Sequence, residues 1–213
     1  MLSQLREPIS KILQPIIVFF AKLRIHPTVF TLFGVILSIS AGIFLAIDNF
    51  LVALILIIAG SAMDYIDGGV ARYRNLASKQ GSFLDSTVDR ISDLALFGGI
   101  ALSGYVDKVT GIIMVASALL ISYIRAKGES VGIQKMAVGI MERAERLLFL
   151  FVLILLSLMI PQFHEPFFSL GSFHNGSYFT IGYMILTGLS VITILQRIIY
   201  ASIQLNKIEV PAE

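Results

Sequence analysis

Long apolar stretches alternate with short polar ones along most of the chain. A membrane-spanning helix needs about 20 mostly apolar residues, and six stretches meet that need. They cover residues 28–47, 51–72, 83–104, 109–127, 143–161 and 178–201. The pattern predicts an all-α integral membrane protein, with six transmembrane helices forming one bundle over 28–201 in a single domain of residues 1–213.

The composition supports a membrane protein and excludes several kinds of functional site. Of the 213 residues, 56% are hydrophobic and 14% are charged, whereas soluble domains are about half apolar and a quarter charged. The chain has no cysteine, which excludes disulfides and thiol nucleophiles, and its three scattered histidines do not predict a zinc site. A net charge of +2 is too small to predict a nucleic-acid partner. The sequence shows no internal repeat of the kind that is common in transporters.

Residues 1–26 precede the first predicted span and mix bulky apolar residues with basic ones. They lack the short apolar core and small-residue cleavage site of a signal peptide. This segment therefore predicts an amphipathic helix lying on the membrane surface. Within the first span, Gly34, Ser38 and Gly42 recur every four residues, which predicts close packing against another helix.

The basic residues predict the orientation in the membrane. If successive loops alternate between the two sides, only Lys108 of the sixteen Lys and Arg residues lies opposite the termini, which leaves fifteen on the shared side. Cytoplasmic loops carry the excess of Lys and Arg. Both termini are therefore predicted to be cytoplasmic, together with the connections between spans two and three and between spans four and five.

Four aspartates lie where lipid is expected, in DYIDGGVARYRNLASKQGSFLDSTVD, residues 64–89. An ionised carboxylate in the hydrocarbon region costs at least a few kcal/mol. At about 100° per residue, Asp64 and Asp67 share one face of the second span, and Asp85 and Asp89 share one face of the third. Antiparallel packing of these two helices would bring all four carboxylates together just inside the membrane boundary.

This set of oxygen ligands suits Mg²⁺, Mn²⁺ or Ca²⁺ better than zinc. Its charge near −4 favours two ions, an arrangement that recurs in phosphoryl transfer. Gly68, Gly69 and Gly81 beside the acids let a bulky ligand approach the backbone. Arg72, one turn beyond, is a natural phosphate anchor.

Two other interpretations compete with a metal site. The acids could pair at a cytoplasmic rim with Arg72, Arg74, Lys79 and Arg90, but rim pairs do not require two helical sets of acids flanked by glycines. They could also line a cation or proton pathway. Such pathways place acids near the midplane on several broken helices, whereas spans one, five and six carry no acid in their interiors.

The acidic segment also forms a known pattern: D-x-x-D-G-x-x-A-R, eight residues, then G-x-x-x-D-x-x-x-D. Its positions are filled by Asp64, Asp67, Gly68, Ala71, Arg72, Gly81, Asp85 and Asp89. This resembles the signature of the CDP-alcohol phosphotransferases, membrane enzymes that make phospholipid headgroups. The entry to the first span, HPTVFTLFG, is similar to the family's Pro-Asn-x-x-Thr-x-x-Gly, with Thr28 in place of the asparagine.

The resemblance implies a reaction and roles for these residues. Two Mg²⁺ or Mn²⁺ ions would be bound by Asp64, Asp67, Asp85 and Asp89. The CDP part of a CDP-lipid, either CDP-diacylglycerol or CDP-archaeol, would be contacted by Asp64, Asp67, Gly68, Ala71, Arg72, Gly81 and Asp85. Asp89 would also be the general base, and CMP would leave without a covalent intermediate. The resemblance further implies a homodimer.

Basic residues between spans four and five bear on the acceptor alcohol. Arg125 and Lys127 close span four, Arg143 and Arg146 open span five, and Lys135 lies between them. Around an aspartate pocket they would attract an anionic acceptor. The cytoplasmic ends of spans are commonly basic, which could explain these residues without a ligand. However, the helix dipole disfavours cations at the start of a helix. Arg143 and Arg146 therefore indicate a negatively charged partner.

The run VGIMERAERL looks like the V-G-I-A-E-R-x-E-R-L stretch of the subfamily that transfers to inositol 1-phosphate. That subfamily holds the inositol phosphate with a Ser-x-x-Lys-x-Arg pattern in span four and arginines of spans five and six. The implied acceptor-binding residues here are Ser122, Arg125, Lys127, Arg143, Arg146 and Arg197, with the two basic types exchanged in span four. Glycerol 3-phosphate is the alternative acceptor, and a transporter or channel with a regulatory metal site is the alternative class of protein.

Overall fold

The computed structural model describes residues 6–163, 168–170 and 173–209. These residues form seven α-helices, a 3₁₀ turn and one two-stranded hairpin. The elements are α1 (Arg6–Lys22), α2 (Pro27–Ala46), α3 (Phe50–Tyr73), α4 (Lys79–Leu102), α5 (Lys108–Ser130), α6 (Arg143–Met159), the 3₁₀ turn (Pro161–Phe163), β1 (Phe168–Leu170), β2 (Phe173–Gly176) and α7 (Tyr178–Glu209).

Several helices begin close to the predicted polar breaks, where local caps start them. Pro27 opens α2, where a proline has no amide to leave unpaired. Asn49 accepts a hydrogen bond from the amide of Val52 at 3.2 Å, and Asp107 accepts one from Thr110 at 2.9 Å. The six predicted spans correspond to α2–α7, with α4 starting four residues earlier than predicted and α7 running on to Glu209.

The chain is an integral membrane protein, but its helices differ in how clearly they can span a bilayer. Among the described residues, α2, α3, α5 and α7 are long and apolar enough to cross, with mean hydropathy between 1.8 and 2.3. The acidic face of α4 makes that 24-residue helix less apolar, and α6 has 17 residues, near the lower limit for a span. The count of six spans therefore stays a prediction for α4 and α6.

The N-terminal segment contains helix α1, which packs against α3. Ile17 and Ala21 are buried, each 5% exposed, in a cluster with Ile66 and Val70 of α3. Phe19, on another side of α1, is 59% exposed. Apolar side chains thus lie on both the packed and the exposed sides, so the surface location of this helix remains a prediction.

The chain divides into two compact units, Met1–Gly99 and Ile100–Glu213. The first unit holds α1, α2, α3 and most of α4, and the second holds the end of α4 and α5–α7. Each is described by itself below. A single domain of residues 1–213 remains a prediction.

Small residues let α2 approach two neighbours in the first unit. A Cβ added to Gly34 would lie 3.5 Å from the carbonyl oxygen of Gly60 in α3, an ordinary contact distance. A Cβ on Gly42 would overlap the backbone of Ala95 in α4, and one on Gly99 would overlap the backbone of Gly42. The stripe of small residues thus packs against both helices that carry the aspartates.

In the second unit, α7 packs against α5 and α6. Phe179 and Tyr183 of α7 are fully buried and stack with ring centroids 6.5 Å apart. The hydroxyl of Thr180 donates to the carbonyl of Tyr105 at 2.7 Å, which joins α7 to the turn before α5. The predicted loop between spans five and six contains the antiparallel pair β1–β2, with Phe168 opposite Gly176.

Candidate active site

The last turns of α3 carry the first two aspartates of the site. Asp67 is buried, 7% exposed, and Asp64, one turn earlier, is half-buried. The helix ends at Tyr73, and Asn75 then adopts a left-handed conformation with φ 55° that turns the chain towards α4. Asparagine tolerates this conformation better than most residues.

The start of α4 carries the other two aspartates. The hydroxyl of Ser78 accepts a hydrogen bond from the amide of Gly81 at 3.0 Å, in the manner of an N-cap. Asp85 is exposed, whereas the side chain of Asp89 is only 17% exposed. Asp89 lies 3.5 Å from the neighbouring guanidinium of Arg90.

Three of the four aspartates come together. One carboxylate oxygen from each of Asp64, Asp67 and Asp85 lies within 4.8 Å of the others. Asp89, the fourth predicted ligand, is not part of this group and lies one helical turn further along α4. The structure thus brings α3 and α4 together as the spacing predicts, with three acids grouped rather than four.

The geometry of this group fits a divalent cation. Oxygen ligands of Mg²⁺ and Ca²⁺ lie about 2.0–2.6 Å from the ion, so two ligands on opposite sides of it are about 4–5 Å apart. The three oxygens are within that limit, and carboxylates are the ligands that such ions prefer. Like charges this close repel one another, and a cation between them would offset that repulsion.

Sequence reasoning missed one residue of this site. Thr31 of α2 donates a hydrogen bond from its hydroxyl to Oδ2 of Asp67 at 2.6 Å, and both residues are 7% exposed. The available signal was the HPTVFTLFG segment, in which Thr31 fills the threonine position of the resembled motif. Nothing in that segment indicates which acid the threonine contacts.

The predicted nucleotide-contacting residues lie beside the acids. The guanidinium of Arg72 lies against Gly68, where an added Cβ would be 3.2 Å from Nη1 of Arg72. Ala71 is half-buried and Gly81 is exposed. Arg72 also lines a cavity of about 310 Å³ together with Gln14, Ile17, Tyr65, Gly69 and Tyr73. Arg72 therefore borders both the acidic face of α3 and an open cavity.

The rim hypothesis predicted ion pairs between the acids and nearby basic residues. Arg90 does contact Asp89, but Arg74 donates to the backbone carbonyl of Ile25 at 3.0 Å, ahead of α2. Arg74 therefore holds the α1–α2 connection against the end of α3.

In the second unit, Arg197 is 2% exposed and its guanidinium donates to three protein acceptors. Nε donates to the carbonyl of Val138 at 2.8 Å, and Nη1 donates to the carbonyl of Ile121 at 2.5 Å. Nη2 lies 3.4 Å from a carboxylate oxygen of Glu142. Arg197 thus ties α7 to α5 and to the segment before α6, and Glu142 is a partner that sequence reasoning did not name.

The other predicted acceptor-binding residues range from buried to exposed. Arg146 is 1% exposed and donates from Nη1 to the carbonyl of Met141 at 3.0 Å. Arg143 and Ser122 are half-buried and Lys127 is exposed. The remaining one is Arg125, which pairs with Glu129 at 3.0 Å on the surface, both side chains being 47% exposed.

Comparison with known proteins adds to this geometry. The sequence profile of the CDP-alcohol phosphatidyltransferase family matches residues 24–202. The archaetidylinositol phosphate synthase of Methanothermobacter thermautotrophicus is 33% identical over 200 residues, which cover 94% of this chain and 93% of the relative. The protein of the same name from Pyrococcus horikoshii is 31% identical over 152 residues, covering 71% and 81%.

Solved structures of the phosphatidylinositol phosphate synthase of Mycobacterium tuberculosis are also similar. The one with CDP-DAG bound has a TM-score of 0.74 and 26% identity, covering 90% of this chain and 94% of that one. The one in complex with manganese and citrate has a TM-score of 0.72 and 26% identity, covering 88% and 87%. The profile match over most of the chain, the two relatives and this shared fold establish that the chain belongs to the CDP-alcohol phosphatidyltransferase family and is a CDP-alcohol phosphotransferase.

Proposed function

We propose that the protein transfers a phosphatidyl-type group from a CDP-lipid to a hydroxyl of inositol 1-phosphate and releases CMP, in a metal-dependent reaction. The observation that carries the metal-dependent transfer is the group of three carboxylates from α3 and α4 within 4.8 Å, in a member of this family. Inositol phosphate as acceptor is supported by the names of the two curated relatives and of the solved structure.

The cofactor in this proposal is two Mg²⁺ or Mn²⁺ ions held by Asp64, Asp67, Asp85 and Asp89. When bound, such ions offset the charge of the reacting phosphates and of the leaving CMP. The spacing of the three grouped carboxylates supports this assignment, as does the related structure with manganese and citrate. Asp89, one turn beyond Asp85, would complete the set.

The chemical step assigned to the chain is a proton transfer. Asp89 takes the proton from the attacking hydroxyl of the acceptor. The acceptor oxygen then forms a bond to the phosphorus that carries the lipid, and the bond from that phosphorus to the oxygen of CMP breaks. CMP leaves with that bond's electron pair. The side chain of Asp89 is only 17% exposed, which supports this role because bulk water then competes less with the attacking hydroxyl for this carboxylate.

The nucleotide part of the substrate is assigned to the first unit. Gly68, Ala71, Arg72 and Gly81, with Asp64, Asp67 and Asp85, would contact the CDP moiety. The position of Arg72 over Gly68 supports this assignment, because a guanidinium can donate two parallel hydrogen bonds to a phosphate. An alanine at position 68 would crowd that guanidinium.

The acceptor phosphate is assigned to Ser122 and to five basic residues of the second unit, Arg125, Lys127, Arg143, Arg146 and Arg197. A guanidinium has five N–H donors. Protein acceptors engage Arg197 through three of its nitrogens, so it has donors and positive charge left for an anion. Its burial would strengthen that attraction.

The same proposal covers the membrane arrangement. α4 and α6 would complete six spans, α1 would lie at the membrane surface, and both termini and the active site would face the cytoplasm. The protein would act as a homodimer. The distribution of basic residues supports the orientation, since with six alternating spans only Lys108 would lie on the opposite side.

The proposal is tested with purified protein and labelled acceptors. Each labelled acceptor, inositol 1-phosphate or glycerol 3-phosphate, is incubated with each donor, CDP-diacylglycerol or CDP-archaeol. Both labelled lipid and released CMP are measured. We expect labelled lipid from inositol 1-phosphate, and no reaction after EDTA treatment until Mg²⁺ or Mn²⁺ is restored. Product from glycerol 3-phosphate alone would overturn the acceptor, and full activity in EDTA would overturn the metal requirement.

A further inference from the structure

The hydroxyl of Thr31 contacts the most buried carboxylate of the acidic group. The distance from its Oγ1 to Oδ2 of Asp67 is 2.6 Å. Hydrogen bonds from a hydroxyl to an ionised carboxylate are typically about 2.5–2.7 Å long and are about twice as strong as neutral ones. Both side chains are shielded from water, which strengthens the contact further.

The hydroxyl proton has two acceptors within reach. The carbonyl of Pro27, one turn earlier in α2, is 3.4 Å from Oγ1 of Thr31, whereas Asp67 is 2.6 Å away. A threonine hydroxyl has one proton to donate. The shorter distance and the acidic acceptor assign that proton to Asp67.

The packing of α2 on α3 determines where this hydroxyl lies. Gly34 follows Thr31 by one turn, and its position allows α2 to approach Gly60 and Met63 of α3. Gly60 in turn has Ser38 of α2 beside it, with an added Cβ 3.3 Å from the serine hydroxyl. Threonine is branched at Cβ and has few rotamers. The contact with Asp67 is therefore set by two closely packed backbones.

We propose that Thr31 is a positioning residue for the divalent cation. Its hydroxyl occupies one lone pair of Asp67 and fixes the rotation of the carboxylate that shares the 4.8 Å group with Asp64 and Asp85. A carboxylate has about four lone-pair sites, so others remain for the cation. The inference rests on the metal site of the proposed function and adds a residue of α2, outside the aspartate signature.

The test measures Mn²⁺ binding to purified protein without substrate. Thr31→Val keeps the shape of the side chain and removes the donor, and Thr31→Ser keeps the donor. Removing a residue that orients a metal ligand weakens metal binding by about 10- to 100-fold. We therefore expect Thr31→Val to raise the Mn²⁺ dissociation constant at least about tenfold and Thr31→Ser to stay within about threefold of wild type. Saturating Mn²⁺ should restore most of the turnover of Thr31→Val.

The matched control is Thr187→Val, since Thr187 is also a buried helical threonine but donates to the carbonyl of Tyr183 in its own helix. This variant should bind Mn²⁺ as wild type does. Equal Mn²⁺ affinity in folded Thr31→Val and wild type would overturn the inference while leaving the metal site intact. If Thr31→Val does not fold, Thr31→Cys is measured instead, because a thiol is a weak donor of similar size. It should also raise the Mn²⁺ dissociation constant, and an unchanged dissociation constant would overturn the inference. A wild-type protein that binds no Mn²⁺ would overturn the metal site, and this inference with it.

Discussion

The acids of the first unit and the arginines of the second unit are held in different ways. Asp64, Asp67 and Asp85 come from neighbouring helices and direct oxygens at one another within 4.8 Å. Arg146 and Arg197 are buried and donate to backbone carbonyls: Arg146 to Met141 just before its own helix, and Arg197 to segments distant in sequence. A group of like charges needs a ligand to compensate it, whereas a guanidinium bonded to carbonyls also stabilises the chain. Substitutions in the first group should therefore change metal binding and chemistry, and those in the second should also change stability.

Asp89→Asn tests the chemical side of this comparison and should have the largest effect. An amide cannot take the proton of the attacking hydroxyl, so CMP release should fall by about 10²- to 10⁴-fold. CDP-lipid should still bind, because Asp89 is not among the residues assigned to the CDP moiety, and the melting temperature should stay near wild type, because the change nearly preserves side-chain shape. CMP release and CDP-lipid binding are measured on the same preparation. Full turnover in this variant would contradict the assignment of Asp89 as the base.

Arg197→Lys tests the stabilising side. Lysine carries all its donors on one nitrogen and cannot reach Val138, Ile121 and Glu142 together as the guanidinium does. Leaving buried carbonyls without a donor should lower the free energy of unfolding by about 2–3 kcal/mol.

Chemical denaturation in detergent measures that loss. The control is Arg125→Lys, because Arg125 pairs with Glu129 on the surface with both side chains 47% exposed. Its change in stability should stay below about 0.5 kcal/mol. Equal losses in the two variants would show that burial of Arg197 does not set its structural role.

Gly99→Ala tests whether helix packing brings the acids together. A Cβ at position 99 would overlap the backbone of Gly42, and no flexible side chain is there to yield. Moving α2 and α4 apart should cost about 1–3 kcal/mol and weaken Mn²⁺ binding, because α4 carries Asp85. The control is Gly98→Ala, where an added Cβ meets nothing within 4 Å and should stabilise the helix by up to about 1 kcal/mol. Melting temperature and Mn²⁺ titration compare the two variants, and equal Mn²⁺ affinity would count against the packing argument.

Asp107→Ala should have the smallest effect, since this acid of the second unit caps α5 and is outside the residues assigned to the chemistry. Burial pushes the pKa of Asp107 up, but hydrogen bonds from Thr110 and the first-turn amides outweigh it and hold the pKa below its usual value. A lowered folded-state pKa contributes stability above the unfolded pKa of about 3.9, and this is lost as the pH falls through the folded pKa.

Losing this cap should lower the free energy of unfolding by about 1 kcal/mol at pH 7, and by less below about pH 4. Asp107→Asn keeps the side-chain oxygen that accepts the hydrogen bond from Thr110. Its free energy of unfolding should therefore fall by only a few tenths of a kcal/mol. Denaturation at pH 7 and at acidic pH measures both variants. A loss that grows as the pH falls would contradict the assigned direction of the pKa shift.

The acidic site was more predictable than the basic one for a local reason. Asp64 and Asp67, like Asp85 and Asp89, are close along one helix each, so helical periodicity alone places each pair on one face. The roles implied for Arg146 and Arg197 depend on what lies around them. Arg197 bonds to Ile121 and Val138, 76 and 59 residues away in sequence, and no local pattern indicates such partners.

By itself, the sequence determined that the chain is helical, that it lies in a membrane, and which acids share a helix face. These follow from apolar stretch length and helical period, which are local properties. Only the tertiary structure decided that three acids group while Asp89 lies a turn away, and that Thr31 donates to Asp67 across 36 residues of chain. Such contacts depend on how closely helix backbones approach, and that distance is set by small residues such as Gly34 and Gly42 meeting a particular neighbour.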